Sequence, residues 1–167
     1  MFQIGDIIIY GTSGVCIIDN IGPIDSPSAS KGRTYYTLHP YYSERNTIFT
    51  PTDNKKVQMR SILSKEEATS LINNIQEIKC VWANDERGRE VEYKEAIKQC
   101  DCKQLLKIVK SIYFSRKEKI AEGKKVPARD EKYYHMAEES LYGELALSLG
   151  LEIDQVEELV HSKLEEI

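Results

Sequence analysis

Apolar residues follow two different rhythms along this chain, and the change comes near residue 60. Before it stand five short runs rich in β-branched and aromatic residues: Ile7-Ile8-Ile9-Tyr10, Val15-Cys16-Ile17-Ile18, Thr34-Tyr35-Tyr36-Thr37-Leu38, Thr47-Ile48-Phe49-Thr50 and Val57-Gln58-Met59. Such runs fit a pleated, half-buried surface, so each predicts a strand. Turn formers separate them: Gly11-Thr12-Ser13-Gly14 suits a tight first turn, and residues 22–32 form a longer Gly-, Pro- and Ser-rich loop.

After Arg60 the spacing becomes helical. Ser64-Lys65-Glu66-Glu67 is a capping box, in which serine and glutamate side chains satisfy each other's free backbone N–H groups. Ala68, Leu71, Ile72 and Ile75 then give a helix from about Lys65 to Gln76 its apolar face. A second helix is predicted from near Arg89 to Gln99. Asp101 caps a third, whose Leu105, Leu106, Ile108, Val109, Ile112 and Tyr113 recur on one side, with Gly123 as its stop. A fourth follows Pro127 and runs to about Leu149, with Ala137, Leu141, Leu145 and Leu149 on one stripe and Gly150 just past its end. Asp154 with Glu157 is expected to cap a last short helix carrying Val156, Leu159, Val160 and Leu164.

The order of elements predicts an α+β chain: a five-stranded SH3-like or Tudor-like β-barrel followed by an all-α helical domain. The expected boundaries are 1–62 for the barrel, 63–81 for a connecting helix and linker, and 82–167 for the helical domain. At 167 residues, two such domains each bury only a modest core. Closing a barrel commonly leaves one strand edge available to a partner.

Charge sharpens the division. The net charge of -4 argues against indiscriminate nucleic-acid binding, but residues 103–135 carry ten Lys or Arg against four acids, and residues 136–167 one Lys against nine acids. A basic segment is thus followed by an acidic tail. No apolar stretch approaches a bilayer span and the N-terminus lacks the pattern of a signal peptide, so the chain reads as cytoplasmic, with no membrane partner. Cys16, Cys80, Cys100 and Cys102 are scattered and read as reduced thiols.

Catalytic and metal signatures are weak. The turn after the first strand has glycines but lacks the Lys-Ser/Thr ending of a phosphate loop and leads into another strand. His39, His135 and His161 share no metal-ligand spacing with one another or with the cysteines, so neither metal nor cofactor is expected, and no enzyme activity. Tyr35, Tyr36, Tyr41 and Tyr42 fit an aromatic cage, although strand packing and an exposed loop account for them more simply. Trp82, the only tryptophan, sits in a polar stretch flanked by Arg87 and Arg89. It reads either as a ring packed where two domains meet or as an aromatic wedge presented to nucleic acid.

Several short matches then fall in one order: Phe2 through Tyr10, Gly14-Val15, Tyr35-Tyr36-Thr37-Leu38 and Thr50-Pro51. They continue with Trp82, Tyr93-Lys94-Glu95, Gly123-Lys124-Lys125-Val126, Ala137-Glu138 and Leu141 through Ala146. In this order and spacing the chain resembles the CarD/CdnL family of bacterial transcription regulators. The resemblance implies an N-terminal RNA-polymerase-interacting domain that docks on the polymerase β subunit, also found in transcription-repair coupling factors. It further implies a helical domain that contacts promoter DNA, largely independently of sequence, and stabilises the open complex. A monomer is expected in that complex.

On this reading Trp82, Arg87, Arg89, Lys94, Lys124 and Lys125 are the leading DNA-contact candidates, with Lys119, Arg116 and Lys117 ranked below them. The polymerase candidates are Ile48, Phe49 and Thr50, on a strand whose backbone can extend a partner's sheet. Because residues alternate across a strand, at most one of Ile48 and Phe49 faces outward. The competing reading is a protein–protein adaptor that works through its acidic C-terminal part without touching DNA.

Overall fold

The computed structural model describes residues 1–43, 46–80 and 85–167. The chain is α+β and divides into two units, Met1–Ile62 and Leu63–Ile167.

The first unit is a five-stranded antiparallel sheet of β1 (Ile7–Tyr10), β2 (Val15–Gly22), β3 (Tyr35–Pro40), β4 (Ile48–Pro51) and β5 (Met59–Ser61), ordered β4-β3-β2-β1-β5. Register brings Ile8 opposite Cys16, Ile18 opposite Leu38 and Leu38 opposite Ile48, so one face collects Ile8, Cys16, Ile18, Tyr36 and Leu38 as its core. Phe2, Tyr10, Ile21, Ile48 and Met59 pack against that core. A register shift between Ile18 and Asn20 changes the strand's parity, which lets Ile18 and Ile21 share the apolar face although they are three residues apart. At the first turn, a 3-10 turn over Gly11–Ser13, Gly11 has φ 47° and a Cβ there would lie 2.6 Å from Val57 Cγ1. Only glycine fits that close approach.

The expected closed barrel is not formed. Among the described residues β4 pairs only with β3 and β5 only with β1, so the sheet has two open ends. These end strands have four and three residues, and Pro51 lacks a backbone donor. Neither offers the length of ladder that closure with stagger demands.

The second unit contains α1 (Lys65–Asn73), α2 (Glu86–Gln99), α3 (Cys102–Ala121), α4 (Ala128–Leu149) and α5 (Ile153–Glu165). Ser64 and Glu67 form the capping box of α1, at 3.1 Å and 2.8 Å, and a 3-10 turn over Ile75–Glu77 follows the helix. Helix α2 starts at Glu86, earlier than its apolar periodicity indicates, because the Asp85 side chain accepts from Gly88 N–H. Asp101 caps α3 through Gln104 N–H at 3.0 Å, and Gly150, with φ 66°, ends α4. Helix α5 is capped by Glu152 rather than Asp154: Gln155 Oε1 accepts from the Glu152 N–H at 2.9 Å, so the helix begins before the predicted cap.

Leu105, Leu106, Ile108, Val109 and Ile112 of α3 meet Ala137, Leu141 and Leu145 of α4 in one core, joined by Val156, Val160 and Leu164 of α5 and by Ala68 and Ile72 of α1. Each buried Leu, Ile or Val contributes about 1.5–3 kcal/mol by leaving water, which explains why the helical periodicity dictates the packing. Among the described residues three ionisable side chains, Lys110, Asp130 and Glu144, are buried in this unit. Lys110 Nζ donates to the carbonyls of Ile75, Gln76 and Ile78 at 3.0, 3.0 and 2.8 Å. Glu144, 1% exposed, accepts from Leu63 N–H and from Cys102 Sγ, both at 2.9 Å.

Candidate functional site

Strand β4 gives the first unit its most open surface. Ile48, Phe49 and Thr50 pair with Leu38, Thr37 and Tyr36, and alternation sends Ile48 and Thr50 to the core face and Phe49 to the other. Ile48 packs against the core, and Thr50 is buried with Oγ1 accepting from Asn54 Nδ2 at 3.0 Å. Phe49 is 50% exposed. The outer side of β4 has no strand partner among the described residues, so backbone donors and acceptors stand there beside an exposed phenyl ring. Tyr41 and Tyr42, also exposed, stack edge to face with centroids 5.0 Å apart; a single pair of this kind does not make a cage.

The cations of the second unit are not equivalent. Trp82 lies outside the described residues. Arg87 is exposed near the start of α2 and Lys125 is exposed in the segment between α3 and α4; among the described residues neither makes an ion pair. Lys94 pairs with Glu90 at 3.2 Å and Lys124 with Glu122 at 2.8 Å. Arg89 is half-buried, and among the described residues its Nε has no hydrogen-bond partner. Lys119 is half-buried near the end of α3. Arg116 and Lys117 are bound to the helical surface: Arg116 pairs with Glu131 at 2.8 Å and lies 4.2 Å over the Tyr134 ring, while Lys117 sits 5.0 Å over Tyr113.

Acidic partners of α2 and α4 were not evident from the chain alone. Arg129 reaches Glu86 at 3.7 Å and Glu90 at 3.2 Å, and Tyr133 Oη donates to Glu90 at 3.0 Å. The Lys94 ammonium, then the Tyr133 hydroxyl, hold the Glu90 carboxyl below the usual range. The only local signal was the Glu90/Lys94 spacing of four, which sets opposite charges side by side on a helix. Arg129 comes from another helix, and no sequence pattern announces it.

A second polar group lies between α4 and α5. Tyr134 Oη is 3.1 Å from His161 Nε2, and Glu138, Glu157 and His161 stand close together. Burial raises the pKa of Glu138, with the Glu157 charge acting in the same direction. Burial likewise raises Tyr134 and Tyr142, and the Glu138 carboxylate adds to both.

These features define an α+β protein with an open-edged antiparallel sheet at one end of the chain and a helical unit with a partly neutralised basic surface at the other. Residues 2–63 match the family described as CarD-like/TRCF RID domain, over nearly the same span as the first unit. That unit is therefore a CarD-like domain. No curated protein matches the chain. Among the described residues no helix is long and apolar enough to cross a membrane.

Proposed function

We propose that the protein is a transcription regulator whose CarD-like unit docks on the RNA polymerase β subunit and whose helical unit contacts promoter DNA, favouring the open complex. The family match over residues 2–63 carries the first half of this reading. The open edge of β4, with Phe49 beside it, supplies the kind of surface on which a partner strand adds through main-chain hydrogen bonds. We read the unit as Tudor-like, the chain as of the CdnL type, and its role as cytoplasmic binding rather than catalysis.

For the second half, Arg87 and Lys125 are the best placed phosphate contacts, since no acid in the described residues competes for them. Lys94 and Lys124 join them only by leaving Glu90 and Glu122. A factor that binds the open form tenfold better than the closed form shifts melting by about 1.4 kcal/mol. Tethering on the polymerase raises the effective concentration near DNA, so weak intrinsic affinity suffices.

A second reading, an adaptor that binds the polymerase without touching DNA, is favoured by those same ion pairs, which cancel much of the basic surface. The deciding experiment is a pull-down of the full chain with RNA polymerase and with its isolated β-lobe fragment, followed by promoter-complex lifetime with and without the protein. Capture without any change in lifetime selects the adaptor. Failure of capture removes both readings.

A further inference from the structure

Helix α5 carries Glu157 and His161 one turn apart, and α4 brings Glu138 to the same place. One ligand-type atom from each of the three lies within 4.8 Å of the others. Three observations make this group unusual. First, among the described residues neither carboxylate is ion-paired with a lysine or arginine; the basic side chains beside Glu138 are the imidazoles of His135, at 3.6 Å, and of His161. Arg116, the nearest guanidinium on α3, lies over the Tyr134 ring and is engaged by Glu131.

Second, Tyr142 is 3% exposed and, among the described residues, its hydroxyl makes no hydrogen bond of good geometry, although the Glu138 carboxylate is close enough to act on it and the Glu157 charge adds to that effect. A buried phenol left in this way beside two carboxylates is a cost that a further group at the same point would relieve. Third, the imidazole is already held, since Tyr134 Oη lies 3.1 Å from His161 Nε2 and the Tyr113 ring lies 5.7 Å from its centroid. Ligating histidines are typically oriented by such neighbours.

We propose that Glu138, Glu157 and His161 form a binding site for a first-row divalent transition-metal ion, which fastens α5 to α4. Two carboxylates and one imidazole suit a borderline cation such as Zn²⁺, and ligands one helical turn apart with a third from a neighbouring helix are a common way to build such a site. Bonds of about 2.0–2.2 Å at tetrahedral angles place ligand atoms about 3.4 Å apart, so side-chain rotation from within 4.8 Å closes the site without moving the helices. The ion neutralises the carboxylate pair, and a bound water gives the Tyr142 hydroxyl a partner. The role is structural: the ion joins the C-terminal helix to the core of the helical unit. It depends on neither polymerase nor DNA binding.

The test is calorimetric titration of the full, chelator-treated chain with Zn²⁺ alone, together with thermal unfolding at each metal level. The native chain is expected to take up one equivalent saturably, with a rise in Tm. Glu157→Gln and His161→Gln should each weaken that binding at least tenfold and abolish the Tm rise. Glu157→Gln preserves shape and charge-independent packing, so it carries the test if His161→Gln fails to fold. A Cys80→Ser control should leave binding unchanged. Absence of a saturable equivalent, or binding that survives Glu157→Gln and disappears with Cys80→Ser, overturns the site.

Discussion

Lys110 Nζ lies 2.8 Å from the carbonyl oxygen of Ile78, and the same ammonium reaches the carbonyls of Ile75 and Gln76. A charged side chain that is only 5% exposed thereby closes the end of the 3-10 turn following α1 and ties it to α3. Lys110→Met keeps the stem but leaves three carbonyls without their donor. Loss of a hydrogen bond to a charged group costs about 1.5–3 kcal/mol, so the urea midpoint should fall by that equivalent with little change in slope. Lys103→Met, on the exposed side of the same helix, should change stability by no more than about 0.5 kcal/mol. Equal effects from the two substitutions would show that the carbonyl contacts contribute nothing.

Phe49 and Leu38 lie on opposite faces of the sheet and should separate docking from folding. Phe49→Asp is expected to lower polymerase capture at least tenfold, about 1.4 kcal/mol, while leaving thermal unfolding close to native. Leu38→Ala, in the core, should destabilise the first unit by about 2–5 kcal/mol. Capture unaffected by Phe49→Asp would move the docking surface away from β4.

Arg87→Glu combined with Lys125→Glu tests two exposed cations of the helical unit that make no ion pair among the described residues. Promoter-complex stabilisation should fall, and the salt dependence of DNA engagement should become shallower, because fewer phosphates are neutralised. Arg116→Ala should act differently. Its guanidinium is held by Glu131 and the Tyr134 ring, so the expected effect is on Tm with little on salt dependence. If Arg116→Ala alters the salt slope as strongly as the double variant does, the distinction between bound and available cations fails.

Burial pushes the Cys16 thiol up to about 11, in the core of the sheet. Near pH 8 roughly one molecule in a thousand carries the thiolate, the nucleophilic form, and the folded sheet shields even that fraction. Iodoacetamide at pH 8 should therefore modify half-buried Cys80 first and Cys16 only when the protein unfolds, as peptide mass analysis over time will report. Rapid native-state labelling of Cys16 would mean that the sheet opens readily.

The chain's two rhythms were readable because local spacing sets which face of an element is buried. Ile7–Tyr10 is a strand over its predicted span, and Leu105, Leu106, Ile108, Val109 and Ile112 line the core face of α3 as their periodicity requires. Caps at Ser64, Asp101 and Gly150 were equally local. What escaped depends on partners distant in sequence. Lys110 reads as part of a solvated basic segment until the carbonyls of 75–78 come to meet it. Arg116 reads as a phosphate contact until Glu131 and Tyr134 occupy it. Barrel closure likewise depends on pairing between the first and last neighbours of the sheet, which the composition of short strands such as Met59–Ser61 does not specify.

Trp82, read from its polar, arginine-flanked sequence, gives the sharpest division between the two functional readings. As a wedge at a distorted base step it contributes through stacking, and losing one such contact costs about 1–3 kcal/mol. Trp82→Ala should then shorten the lifetime of heparin-challenged promoter complexes several-fold while Tm stays nearly constant. As a ring packed inside the protein, its truncation should instead remove about 3–5 kcal/mol from a small unit whose total stability is of the same order. Both quantities can be measured on one preparation, with polymerase capture as a check that docking persists. A collapsed Tm would assign Trp82 to packing and leave DNA contact to the cations alone.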